Sequence, residues 1–311
     1  MWFICPNPLS GIGQVVKKYA SLMDGKCVQY GQPVPDNQDV FVFALPIPDT
    51  LNLYKDLKRR SKSIICMTVC ETETVHPLYG KLFEIFDKIA VPSEYCKNVF
   101  SRQFPTNEFK LIYHWIPMPI PRHLLSIPDK NTFIFYNIGN FLDHRKQCKK
   151  IIEAFLRLNL PNSKLLFKAT CKEEVHINLP NVFFINGLVE DAIIDSIHTQ
   201  CHCYVSFSKS EGVGMGAVEA ALHNKPVIIT EYGGAKEYVK TPYVIECSKQ
   251  KVGVNDFLYT KDMEWGNPDF NQLMHYMKDV YDNNLRYMNH DHTKNLLKNA
   301  NIKKQITTFH H

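Results

Sequence analysis

The sequence contains no Asp-x-Asp pair and no Cys-x2-Cys pair. The first absence removes the commonest short acidic clamp for a divalent cation. The second matters because ten cysteines are present. Scattered as they are, they fit reduced thiols rather than a disulfide framework or a zinc site. Cys201 and Cys203 are expected to share one face of a buried strand. No apolar run approaches the roughly 20 residues that a membrane-spanning helix needs. The opening residues, MWFICPNPLSGIG, have neither a basic stretch nor a long apolar core, so a secretory signal is not expected. A cytoplasmic location is the expectation. Charge is weak too: 36 basic and 31 acidic residues leave a net +5, too little to argue for a nucleic-acid partner. Internal repeats and low-complexity segments are missing.

What remains is an ordinary globular balance, 45% hydrophobic and 22% charged, over 311 residues, which is room for two domains. Short apolar runs alternate with amphipathic segments. In the first half, residues 2–5, 40–44, 64–69, 88–91 and 110–113 read as strands. A helix is expected after Ser10-Gly11-Ile12-Gly13, another over 49–60, and one capped by Ser93 and running to Gln103. Residues 116–128 carry Pro117, Pro119, Pro121 and Pro128, a density that blocks helix and central strand alike. The second half repeats the alternation, with strands at 132–138, 164–169, 182–185, 203–207 and 243–247. Helices are expected up to Leu158, over 190–199 and over 269–284, with a helical, basic tail. Alternation of this kind predicts parallel sheets covered by helices on both faces. The domains are expected to be 1–127 and 128–311.

The most informative stretch is SKSEGVGMGAVEAALHNKPVIITEYGGAKEYV, residues 208–239. It reads as a strand end, a glycine loop, a helix, a strand and a second glycine turn. Glu211 lies in the loop and Glu219 in the helix, on roughly the same side at 3.6 residues per turn. Gly212, Gly214 and Gly216 lie between them and permit tight turns and close ligand approach. A helix beginning near Val213 would point N–H groups and a partial positive charge at the loop, a place for a phosphate. A carboxylate in the same pocket suits sugar hydroxyls.

This stretch resembles the retaining nucleotide-sugar glycosyltransferases of family 4. Their Glu-x7-Glu segment, small-residue helix, Pro-Val strand and Gly-Gly turn ending in Glu appear here as Glu211 and Glu219, Ala220-Ala221, Pro226-Val227, Gly233-Gly234 and Glu237. The resemblance implies a B-type fold: two Rossmann-like α/β domains with a cleft between them. It implies a UDP- or GDP-sugar donor on the carboxyl-terminal domain and a glycan, glycoprotein or lipid-linked acceptor. No cofactor, nucleic acid or transmembrane segment is implied. Glu219 would hold the ribose and Glu211 the donor sugar. The backbone of Gly212, Val213, Gly214 and Met215 would face the diphosphate, and Leu188 would lie beside the base. The family's Gly-Arg-Leu…Lys loop appears as Gly139-Asn140-Phe141-Leu142 followed by Arg145-Lys146. Asn140 replaces the usual Arg, and Lys146 and Arg145 are expected to neutralise the leaving diphosphate. The other reading of these cations is a solvated basic helix start. An anion facing them would explain cations at a helix N-terminus, where the macrodipole disfavours them.

In the first half, TVCETETVHP and AVPSEYCKNVF resemble acceptor-side segments of the same family. Glu71, Glu73 and His76 are the acceptor-side candidates, although His76 before a proline is equally read as a loop residue. Glu71-x-Glu73 also admits reading as an acidic metal pair. Gly11 and Gly13 would approach the donor phosphates or the acceptor, or merely open a helix. The expected reaction is retaining, metal-independent hexosyl transfer to a hydroxyl. The alternative is a non-catalytic nucleotide-sugar binder of the same fold. Turnover is expected to persist in EDTA. Complete loss on chelation, restored by manganese, would make Glu71 and Glu73 ligands and overturn the metal-free expectation.

Overall fold

Strands and helices alternate along the chain as the apolar pattern requires. A computed structural model of the protein describes residues 1–7, 10–86, 88–126, 131–171, 173–256 and 258–310. Contacts divide the chain into two units: Met1–Pro117 with Lys251–Glu264 and Asn295–His311, and Met118–Gln250 with Trp265–Lys294.

The first unit opens with β1 (Trp2–Cys5), α1 (Gly11–Leu22), β2 (Lys26–Gln29), β3 (Asp39–Phe43) and α2 (Pro48–Arg60). It continues through β4 (Ser63–Met67), α3 (Leu78–Phe83), β5 (Ile89–Val91), α4 (Glu94–Gln103) and β6 (Phe109–Leu111). Its six strands pair in parallel in the order β2-β1-β3-β4-β5-β6. Val40, Val42, Tyr54, Phe83, Phe86 and Phe100 are among the buried side chains of its core.

The second unit begins with β7 (Phe133–Gly139), a 3-10 turn (His144–Lys146), α5 (Cys148–Leu158), β8 (Ser163–Ala169), β9 (Val182–Asn186) and α6 (Asp191–Gln200). Then come β10 (Cys203–Val205), α7 (Met215–Leu222), β11 (Val227–Thr230), α8 (Ala235–Tyr238) and β12 (Val244–Ile245). A two-stranded sheet of β13 (Cys247–Lys251) and β14 (Glu264–Pro268) follows, then α9 (Phe270–Asp282). The chain ends with α10 (Asp291–Leu296) and α11 (Asn299–His310). The main sheet is parallel, ordered β12-β11-β10-β7-β8-β9. Its first strand, β7, therefore lies centrally between its second and its fourth. This is the dinucleotide-fold order, and the direction of winding reverses between β7 and β10. One face of this sheet, with Phe135, Leu165, Phe167 and Val205, packs on Ile151 and Phe155 of α5 and Leu273 and Met277 of α9.

Several expectations need correction. Residues 251–264 and 295–311 were expected in the second domain but group with the first unit. They satisfy polar groups there: Glu73 N donates to Glu264 O at 2.9 Å, and Trp115 Nε1 to Asn299 Oδ1 at 3.0 Å. The expected boundary and Pro128 lie outside the described residues. Residues 112–126 form neither helix nor strand. The cations at 145 and 146 do not start a helix of their own. Gln147, at φ +49°, separates their 3-10 turn from α5. Cys201 caps the end of α6 rather than sharing a strand with Cys203. The strand expected over 243–247 is split between β12 and β13 of different sheets. Short α3 carried too few residues to show a helical period.

Ser93 is fully buried, and its Oγ accepts from Cys96 N at 3.2 Å, closing the first turn of α4. Ser93→Ala is expected to cost about 1 kcal/mol, read as a lowered melting temperature. An unchanged melting curve would assign the start of α4 to packing alone.

Candidate functional site

In a sheet of this order, ligands bind beyond the C-terminal ends of the strands where the winding reverses. In the second unit that point is framed by the loops after β7 and β10. Phe141 anchors the first loop: it is buried, with ring centroids 5.2 Å from both Phe167 and Phe184. Asn137 Nδ2 ties β7 to β10 through Val205 O at 2.7 Å, and Gln147 Nε2 reaches Phe207 O at 3.0 Å. Lys209 N donates to Arg145 O at 2.8 Å. The two loops therefore form one bonded layer.

Glu211 stands at its centre, 7% exposed. Lys146 Nζ bonds Oε1, Ser208 Oγ donates to Oε1 at 2.7 Å, and Arg145 Nη1 lies 3.3 Å from Oε2. Arg145 also holds Ser210 O through Nη1 and Asp143 Oδ2 through Nη2 at 3.1 Å. Burial pushes the Glu211 carboxyl up, but the charges of Lys146 and Arg145 outweigh it and hold the group well below the usual carboxylate range. The loop after β11 closes the site. Glu211 bridges to Gly233, and Gly234 N donates to Glu211 O at 2.8 Å. Gly233 has φ +99°, and a Cβ there would stand 2.2 Å from Glu211 O, so only glycine lets the two loops meet.

Gly212 and Val213 are buried in the same loop. Helix α7 begins at Met215 rather than near Val213, with Gly214 (φ +76°) as its N-cap and no side-chain cap. Gly216 serves packing rather than ligand approach: a Cβ there would meet Tyr204 Oη at 2.4 Å. Glu219 projects from α7 with its side chain 20% exposed, and its Oε2 lies 3.7 Å from His198 Nε2. The two glutamates thus have separate partners. Both act on Tyr204, whose phenol is pushed up first by burial and then by the charges of Glu211 and Glu219.

Asn140 is exposed; its Oδ1 accepts from Leu142 N at 3.1 Å and Cys171 Sγ at 3.2 Å. Leu188, 56% exposed, follows the left-handed Gly187 after β9. Arg145 and Lys146 converge on one carboxylate. The anion facing them here is Glu211 itself.

The remaining candidates belong to the first unit. Gly11 is the exposed first residue of α1, and Gly13 N is capped by Ser10 Oγ at 3.0 Å. Glu71 accepts from Tyr259 Oη, while Glu73 pairs with Arg102 at 3.5 Å. The two carboxylates have different partners. His76 Nδ1 accepts from Leu78 N at 3.2 Å, a local turn. Among the described residues, no group of three or more His, Cys, Asp or Glu side chains is placed to hold a metal ion. None of the helices searched is long and apolar enough to cross a membrane.

Residues 125–251 match the family model described as glycosyl transferases group 1. That segment carries every site residue just described in the second unit. By sequence, no curated protein matches the chain. Solved structures do resemble it. The pneumococcal O-GlcNAc transferase GtfA, solved with UDP and GlcNAc, has a TM-score of 0.61 at 14% identity, over 89% of this chain and 57% of that one. An alpha,alpha-trehalose-phosphate synthase (UDP-forming) from Burkholderia xenovorans, with glucose-6-phosphate, has 0.62 at 10%, over 89% and 73%. The lipopolysaccharide outer core galactosyltransferase WaaB, apo form, has 0.61 at 12%, over 99% of both chains. The chain therefore covers less than two thirds of the length of GtfA. At these identities the likeness is one of fold, and the fold is the two-domain B-type glycosyltransferase fold.

Ser208, Gly233 and Lys168 were not singled out as site residues by the sequence. Lys168, in β8, is 5% exposed and donates to Thr170 Oγ1 at 2.9 Å; burial lowers its pKa, and Cys171 and Glu219 oppose that shift. Ser208 and Gly233 lie inside the informative stretch. Lys168 has no local motif to mark it.

Because the folded Glu211 carboxyl titrates below its unfolded value, its ion pairs stabilise the fold above the ordinary glutamate range and lose that effect as pH falls below it. Glu211→Gln is expected to lower the urea midpoint near pH 7, with the gap to wild type shrinking below about pH 4. A gap independent of pH would mean that the lost stability is not electrostatic.

Proposed function

We propose that the protein is a retaining, metal-independent glycosyltransferase that moves a sugar from a UDP- or GDP-sugar to a hydroxyl acceptor. The observation that carries this reading is the Arg145–Glu211–Lys146 cluster at the winding reversal, inside the segment that matches glycosyl transferases group 1. Two cations and the start of α7 at one strand edge suit a diphosphate. UDP in the GtfA structure and the UDP-forming synthase support the choice of donor class.

The cluster links binding to chemistry. Without a donor, Glu211 occupies Lys146. An arriving diphosphate competes for that ammonium and releases the carboxylate to accept hydrogen bonds from sugar hydroxyls. The leaving diphosphate gains charge as the glycosidic bond breaks, so a cation beside it counts most in the transition state. The two cations divide the work. Lys146, with its side chain 22% exposed, turns toward phosphate; Arg145, at 9% and tied to Ser210 O and Asp143, holds the loops together. Glu219 takes the ribose hydroxyls and the backbone near Leu188 the base. The acceptor, a glycan, glycoprotein or lipid-linked sugar, meets Glu71, Glu73 and His76.

The test is release of nucleoside diphosphate from a panel of UDP- and GDP-sugars. Binding without turnover for every donor would favour the non-catalytic binder. In a donor that turns over, Lys146→Ala should lower kcat on the order of 10²–10³ with a smaller change in KM. Arg145→Ala should instead lower the melting temperature. If Arg145→Ala loses turnover in a stable fold and Lys146→Ala does not, the assignments are reversed.

A further inference from the structure

Beneath Glu219 lies a buried polar column drawn from three elements. Tyr136 on β7 is fully buried, and its Oη lies 2.9 Å from His198 Nδ1. His198 on α6 is itself fully buried. Its Nε2 has no hydrogen-bond partner and lies 3.7 Å from Glu219 Oε2 on α7. A buried ring nitrogen without a partner is costly unless it has a task.

Several ionisable side chains face His198. Tyr136 faces it from β7, with its phenol held protonated well above the usual range by burial. Tyr204 faces it from β10 with ring centroids 6.4 Å apart. His223, just after α7, stacks on it at 5.0 Å and is pushed down to about 3 by burial, then by His198 and Lys225. Asp195, on the same helix as His198, pairs with His223 at 3.3 Å and not with His198. With Tyr136 Oη donating to Nδ1, the ring carries its hydrogen on Nε2, the nitrogen that faces Glu219. The 3.7 Å gap exceeds a hydrogen bond, and a shift of about 1 Å closes it.

We infer that His198 is a positioning residue for Glu219, acting through a Tyr136–His198–Glu219 column. Its Nε2–H anchors one carboxylate oxygen from behind, so that the carboxylate meets the vicinal diol of a ribose in one orientation. The ligand chemistry is a nucleoside diphosphate with both ribose hydroxyls. The inference rests on the glycosyl-transfer reading, which places ribose at Glu219.

Calorimetry of the full chain with UDP and GDP, and with their 2′,3′-dideoxy counterparts, tests it. His198→Asn keeps an amide at the Nδ1 position for Tyr136 and withdraws the donor from Glu219. It should weaken binding of the diol-bearing nucleotide about tenfold and leave the dideoxy form within about twofold. His198→Gln, which restores a donor near the Nε2 position, should recover most of that loss. Tyr136→Phe, which frees the tautomer, should shift affinity the same way by less, and it carries the test if His198→Asn does not fold. Equal losses for both nucleotide forms, or no loss, would overturn the inference while leaving the glycosyl-transfer reading intact. A wild type that binds neither UDP nor GDP would overturn both. A wild type that binds them without preferring the diol would overturn the inference and the ribose role of Glu219.

Discussion

The second unit is organised around one buried carboxylate. Glu211 sits where three loops meet, and each loop reaches it by a different means: side-chain cations from the loop after β7, a neighbouring serine after β10, and glycine backbone after β11. Taking a carboxylate out of water is costly, and the attraction of two cations with added hydrogen bonds offsets it only when the geometry is good. That requirement makes the loops mutually dependent. Shift the 3-10 turn of Arg145 and Lys146, and Glu211 is left buried without its partners. Add a Cβ at Gly233, and the backbone of Glu211 is pushed away.

The same cluster has unequal members. One guanidinium and one ammonium surround the Glu211 carboxylate, and Asp143 beside Arg145 supplies the second negative charge of the cluster. Arg145 is fastened to the Ser210 carbonyl and to Asp143, whereas Lys146, the more exposed of the two, reaches across to Glu211. The sheet supplies the framework: Asn137 and Gln147 tie the loop after β7 to the end of β10 and the residues that follow it.

The polar column under Glu219 shows the opposite use of burial. There a buried phenol and an imidazole, rather than two cations, stand behind the carboxylate. The two glutamates of the Glu-x7-Glu spacing therefore operate in different electrostatic regimes, one clamped between cations and one backed by an imidazole.

Much of this architecture was legible in the sequence. Short apolar runs marked most strands of both sheets. Ser93 and Asp269 marked helix starts, and Gly233-Gly234 marked a turn after the strand at 227–230. The residues from Ser208 to Glu237 carried most of the second unit's site because its strand, loop, helix and turn are consecutive in the chain. Pairing was not legible. Arg145 and Lys146 are 66 and 65 residues from Glu211 in sequence, and only the adjacency of β7 and β10 brings them to one carboxylate. The sequence left open whether the two cations end a loop or start a helix; Gln147 in a left-handed conformation sets them apart in a turn of their own. His198 and Lys168 look like ordinary helix and strand residues until α6, α7 and β8 are packed together. The return of residues 251–264 and 295–311 to the first unit was equally hidden, since it depends on which unpaired polar groups those segments satisfy. Local chemistry is written along the chain; which charges share a pocket is decided by strand order, because that alone sets which loop ends become neighbours.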